Sequence, residues 1–146
     1  MIADATPPAI RSLLEWKGTW LIARVAIVTL YLVSAAFHVT DFREAIAEQV
    51  GYGMPAPALS AALAILVEIV GSLLILTARW VWLGAGMLGV FTTLGAVLAH
   101  PFWTMRGNAR FEAMATFLEH AGLVGGLILV ALAAERANNG SLAHVR

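Results

Sequence analysis

Four long stretches of the chain carry almost nothing but apolar residues, with short polar segments between them. They run from about Trp20 to Val39, Pro57 to Thr77, Trp80 to His100 and Met114 to Ala134. Each is close to the roughly 20 residues an α-helix needs to cross a hydrocarbon layer about 30 Å thick. Period-2 alternation is absent and Leu, Ala and Gly runs dominate, so the pattern fits helices and not the strands of a closed barrel. The expected fold is all-α and integral to a membrane. It is a single membrane domain over residues 1–146, built as an antiparallel bundle of four transmembrane helices.

The joins add detail. Pro7-Pro8 opens a short amphipathic stretch in which Ile10, Leu13 and Leu14 share a face, which predicts a helix lying on the membrane surface before the first span. Between the first two spans Phe42, Ile46 and Val50 recur at helical spacing, and Gly51-Tyr52-Gly53 then breaks the helix. Pro55 and Pro57 suit the approach to the second span, where a missing N–H costs little. Only Ala78-Arg79 joins the second and third spans, so these two are antiparallel neighbours. Phe102 to Glu112 reads as the longest polar loop.

Composition agrees with the pattern and removes whole classes of function. Of 146 residues, 60% are hydrophobic and 12% charged, and mean hydropathy is +0.83. Soluble domains run near ~45–50% apolar and ~25% charged. Nine basic residues balance nine acidic ones, so no cationic excess is available to neutralise nucleic-acid phosphates. The absence of cysteine removes disulfides, thiolate metal sites and thiol redox chemistry. Met1 to Trp20 lacks a basic n-region and a small-residue cleavage site, which predicts a first span that acts as a signal anchor. On the flanks, Arg11, Lys17, Arg79, Arg136 and Arg146 stand on the terminal side against Arg43, Arg106 and Arg110 on the other. Five against three predicts both termini in the cytoplasm of a multi-pass inner-membrane protein. Trp16, Trp20, Trp80 and Trp82 fit one interfacial belt, and Tyr52, Phe102 and Trp103 the other.

Ionisable groups inside hydrocarbon are costly and are functional candidates by default. Here they are Arg24, His38, Glu68, His100, Glu119 and His120. Stripes of small residues mark the faces expected to meet other helices. They are Ala61, Ala64, Glu68, Gly71 and Ser72 on the second span; Ala85, Gly89, Thr93, Ala96 and His100 on the third; and Glu119, Gly122 and Gly126 on the fourth. Arg24, Ile27, Tyr31, Ser34 and His38 share a face of the first. Arg24 lies roughly 6 Å, and Glu68 roughly 13 Å, inside the same end of their spans, which predicts an Arg24–Glu68 ion pair that fixes helix register; the alternatives are Arg24 snorkelling to the interface and Glu68 held protonated.

His38, His100, Glu119 and His120 gather at the opposite level. Three readings stand for them. Polar residues collect at helix ends near water; imidazoles bind a quinone head group, to which they can hydrogen-bond and pass protons; or His and carboxylate ligands hold a metal or haem. No HxxxH or HxxE spacing strengthens the last. Asp41 is placed to orient the His38 ring or simply to be solvated, and Phe102, Trp103 and Phe111 to cap a pocket or anchor an interface.

These pieces, in order, resemble the DoxX family of small bacterial and archaeal membrane proteins. The matching stretches are Leu-Ile-Ala-Arg24, Thr40-Asp41-Phe42 with Gly53-Met54-Pro55-Ala56-Pro57, Ala64-Ile-Leu-Val-Glu68-Ile-Val-Gly71, His100-Pro101-Phe102-Trp103, Phe117-Leu118 and Gly125-Gly126. The resemblance covers about Trp20 to Ala134. It implies a four-helix bundle tied to quinone-linked redox chemistry; one relative, DoxD, is a subunit of a thiosulfate:quinone oxidoreductase. Arg24, Glu68 and His100 match the family's polar positions. Members often carry Lys in place of His38 and Lys-Asn in place of Glu119-His120. The expected cofactor is therefore a quinone, ahead of haem or metal. The alternatives are a non-catalytic anchor for a redox partner subunit or a second copy, and a bundle that binds or transports lipids or small molecules.

Overall fold

Helix starts fall at prolines, where the missing N–H is one the first turn leaves free in any case. α1 (Pro8–Glu15) and α4 (Pro57–Leu76) both begin this way. The computed structural model describes residues 6–143, without the side chains of 140–143. Arg146 of the flank tally and the start of the Met1–Trp20 segment lie outside the described residues. The remaining elements are α2 (Lys17–Thr40), α3 (Phe42–Gly51), α5 (Val81–Ala99), a 3-10 turn at Phe102–Thr104 and α6 (Gly107–Ala143). Among the described residues there is no strand. Four helical stretches are long and apolar enough to cross a membrane: Lys17–Thr40, Pro57–Leu76, Val81–Thr104 and Gly107–Asn139.

The fourth of these departs from expectation. The segment Phe102 to Glu112 is not a loop, because α6 starts at Gly107 and takes in Arg110 and Glu112. Hydropathy registers only the apolar middle of such a helix, and its polar first turns look like a connection. At ~1.5 Å per residue, the 37 residues of α6 extend about 55 Å, well beyond one bilayer core.

α2 packs on α4, α4 on α5 and α5 on α6, while α3 folds back against α4. All four long helices feed one core of Val28, Tyr31, Ile75, Val81, Ala85, Leu88, Leu127 and Val130. Outward from it, Leu30, Leu66, Val90 and Leu129 are exposed, an arrangement suited to lipid. The antiparallel order brings α1, the α4–α5 turn and the late part of α6 to one end of the bundle, here the α1 end. It brings α3, the 3-10 turn and the start of α6 to the other, the α3 end.

The inward faces follow the small-residue stripes on α2 and α4, where Tyr31, Ala61, Glu68, Gly71 and Ser72 are buried. On α5 the buried face is Gly84, Ala85, Leu88, Thr92 and Ala96, so Thr93 is exposed and Gly89 turns towards α6. On α6 the expected face is corrected in part: Gly126 meets Ile27 of α2, but Glu119 and Gly122 are exposed, and Leu127 and Val130 enter the core.

The short α4–α5 turn places two non-glycine residues in the left-handed region, Ala78 at φ 57° and Trp80 at φ 53°. A β-carbon there costs roughly 1 kcal/mol. Ala78→Gly is therefore expected to stabilise the bundle by ~0.5–1 kcal/mol, read as a higher melting temperature in detergent.

Candidate functional site

Helical side chains lean towards the N-terminus of their own helix. In antiparallel neighbours, residues at different depths therefore reach towards each other. From α2 His38 leans inward, from α4 Glu68 leans towards the α3 end, and the two meet, with His38 Nδ1 3.9 Å from Glu68 Oε2. His38 Nδ1 also lies 3.5 Å from Ser34 Oγ. The other ring nitrogen, Nε2, is 3.2 Å from Glu48 Oε2 on α3. Tyr52 donates its hydroxyl to Glu48 Oε1 at 2.9 Å. Burial first, then the hydrogen bond and charge of Glu48, push the Tyr52 hydroxyl up to about 12, so it stays protonated as a donor at neutral pH. Glu48 was not singled out by sequence, because nothing local shows that α3 folds back onto α4.

This cluster contradicts the Arg24–Glu68 ion pair. Arg24 instead donates from its guanidinium to the carbonyls of Leu76 at 3.3 Å and Ile75 at 3.5 Å, with Nε 3.4 Å from the Trp20 carbonyl. Its guanidinium also sits 5.6 Å from the Trp20 ring centre. The last carbonyls of α4 lack intrahelical partners and carry the negative end of the helix dipole, so they satisfy a cation nearer to Arg24 than Glu68 is. Asp41 orients no ring either; its side chain caps α3 by accepting from the Glu44 N–H at 3.1 Å.

A second cluster lies between α5 and α6. The rings of His100 and His120 are 5.2 Å apart. His120 Nδ1 is 2.7 Å from the Thr116 carbonyl, and a carbonyl only accepts, so Nδ1 carries a proton and the neutral ring keeps a free lone pair on Nε2. Phe102, Trp103 and Phe117 pack edge to face beside them, with ring centres 5.2 to 6.1 Å apart. Phe111, expected in this cap, is exposed, and Phe117 takes the place instead, one helical turn before His120. Towards the α1 end, an apolar groove of about 500 Å³ runs between the two helices past Gly86, Gly89, Thr93, Val124 and Ile128 to Trp82 and Leu132. His120 lies one turn before Val124 and His100 two turns after Thr93, so both imidazoles stand beyond the α3-side limit of this groove.

The four polar residues expected at one site thus divide. His100 and His120 come together, His38 joins Glu48 and Glu68, and Glu119 is exposed on the outside of α6. Among the described residues no three His, Asp or Glu side chains converge as metal ligands would.

Similarity to known proteins falls on this same framework. The DoxX family model matches residues 19–101, which takes in α2 to α5 with His38, Glu48, Glu68 and His100 and stops before α6. The inner membrane protein YphA of Escherichia coli K12 is 29% identical over 113 residues, covering 77% of this chain and 80% of that protein. No solved structure matches. With a family match over more than half its length and four helices able to span a membrane, the chain belongs to the DoxX family.

Proposed function

We propose that this protein binds an isoprenoid quinone or quinol between α5 and α6 and serves quinone-linked redox chemistry in the inner membrane. The observation that carries this reading is the paired imidazoles of His100 and His120, which follow in helical register beyond the Thr93 and Val124 end of an apolar groove. That layout suits an amphiphile with a small polar head and a long apolar tail. A bound quinone would supply two-electron, two-proton redox chemistry. The residues present fit it. His120, its tautomer fixed by the Thr116 carbonyl, offers Nε2 as acceptor for a head-group hydroxyl proton. His100 is placed to bind a carbonyl oxygen of the head group, and the Phe102–Trp103–Phe117 cluster keeps water away. A β-carbon added at Gly86 or Gly89 would meet no atom, so the groove has open width for a tail.

The protein purified in mild detergent is expected to yield quinone on solvent extraction, and added quinone to quench its tryptophan fluorescence. His120→Phe weakens binding about tenfold or more, since one lost hydrogen bond is worth roughly 1.4 kcal/mol. Gly89→Leu fills the groove and weakens binding without lowering the melting temperature. Wild-type binding in both variants would contradict the reading.

A second reading, a membrane subunit that anchors a partner oxidoreductase or a second copy, is favoured by the outer face of α6. Glu119 is exposed there within the span, beside Gly122 and Gly125, whose added β-carbons would meet nothing. A carboxyl facing lipid is costly until another helix covers it. Co-purification of a partner that Gly122→Leu abolishes supports this role, and a monomer under all conditions opposes it. The basic flanks assign both termini to the cytoplasm, which a reporter fused to the C-terminus tests.

A further inference from the structure

We propose that Glu68 is a proton-binding site inside the membrane and that it exchanges protons with the aqueous phase at the α3 end through His38 and Glu48. Three observations carry this inference. First, the three groups form a graded path: side-chain exposure is 39% at Glu48, 26% at His38 and 3% at Glu68. Second, His38 uses its two nitrogens on opposite sides, Nε2 towards Glu48 and Nδ1 towards Glu68. An imidazole so placed takes a proton on one nitrogen and releases one from the other, leaving its own charge unchanged. Third, Glu68 Oε2 is buried with no hydrogen-bond partner, and Ser72 Oγ, one turn further in, is likewise unpartnered. A buried carboxyl oxygen left open calls for a reason, and a proton that comes and goes at it is one.

Charge balance points the same way. Fully deprotonated, the two carboxyls and the imidazole carry two negative charges, so the cluster reaches neutrality only by holding two protons among three groups. Burial makes a lone charge on Glu68 costly unless it is paired or neutralised. The groups facing Glu68 are Tyr31, Ser34 and His38 from α2, and Glu48, with Tyr52 behind it, from α3. From α5 comes the neutral Thr92, which receives the Tyr31 hydroxyl and donates to the Leu88 carbonyl. Neither Lys nor Arg is among them; Arg24 is held at the opposite end by the α4 carbonyls. Between Ser72 and Arg24, the fully buried side chains of Val28, Ile75 and Leu88 close the path, so access comes from the α3 end.

In one transfer, a proton from the Glu48 carboxyl or from surface water bonds to His38 Nε2, and the Nδ1 proton passes to Glu68 Oε2. At 3.9 Å the second step is too long for a direct hydrogen bond and closes by rotation of the carboxyl or through one water. The path needs no quinone, so it stands or falls apart from the function proposed above.

Infrared spectroscopy of the protein in lipid nanodiscs, prepared without quinone, tests it. The carbonyl band of protonated Glu68 is identified by its loss in Glu68→Gln, and its shift is timed after transfer to heavy water. His38→Leu is expected to slow that exchange at least tenfold with the band retained. Glu48→Gln, at the exposed end of the path, slows it as well and serves if the His38 variant fails to fold. Exchange as fast in both variants as in the wild type would overturn the path, and absence of a Glu68 carbonyl band at every pH at which the protein is folded would overturn the site.

Discussion

Gly84→Ala is expected to destabilise the bundle by about 3 kcal/mol, the upper range for overpacking a tight helix contact. A β-carbon at Gly84 would stand 2.6 Å from the Gly71 carbonyl oxygen and 2.9 Å from Leu74 Cβ. The first obstacle is backbone, so it cannot swing aside as a side-chain tip would. The reciprocal contact is just as close, since a β-carbon at Gly71 would fall 2.7 Å from Leu88 Cγ. α4 and α5 therefore cross on two glycines. Gly86, Gly89 and Gly95, on the same helix, have nothing within 4 Å of the added carbon, so alanine there is expected to be neutral or to gain up to ~1 kcal/mol of helix propensity. Thermal unfolding of the four variants in one detergent makes the comparison. Equal melting temperatures across the set would mean that α4 and α5 do not cross at these glycines.

Glu68→Met is expected to raise stability by about 1–3 kcal/mol. Glu68 Oε2 is buried without a hydrogen-bond partner, and a buried unsatisfied polar atom costs that much. Methionine has similar length and adapts to irregular space, and His38 keeps its closer partner, Glu48, at 3.2 Å. An Arg24–Glu68 ion pair would give the opposite sign, because removing one partner of a buried pair costs ~3–5 kcal/mol. Urea or thermal unfolding of Glu68→Met beside the wild type therefore separates the two arrangements by the direction of the shift alone. A carboxyl retained at such cost is what the proton-binding role at this position requires.

Much of the fold was legible because a membrane reduces the choices. Apolar length set the four spans, and proline and glycine punctuated α1, α3 and α4. The inward face of α4 was legible for the same reason, since close helix contacts require small residues, and Ala61, Gly71 and Ser72 are buried beside Glu68. The same rule misled on α6, where Gly122 is open and Leu127 and Val130 reach the core. Small residues permit close approach but do not create it, and α6 packs chiefly on α5. The partner of Arg24 was misjudged because charge complementarity was weighed without the free carbonyls at a helix end.

The sites were legible only in part. His100 and His120 meet because both sit at the α3 end of neighbouring helices, which span order already implies. The inner cluster depends on Glu48, and its role arises from the fold-back of α3, a tertiary event with no local signature. Thr116, which fixes the His120 tautomer, was readable one turn upstream, inside the expected fourth span.

The function proposed above requires a quinone between α5 and α6 with its head at His100 and His120. Photo-cross-linking with an azido-quinone in native membranes, followed by peptide mass mapping, tests it most directly. Adducts are expected on α5 and α6 around Thr93, Leu94, Val124 and Ile128, suppressed by excess unlabelled quinone and lost in Gly89→Leu. Adducts spread over the lipid-facing sides of α2 and α4, or labelling that excess quinone does not suppress, would contradict it.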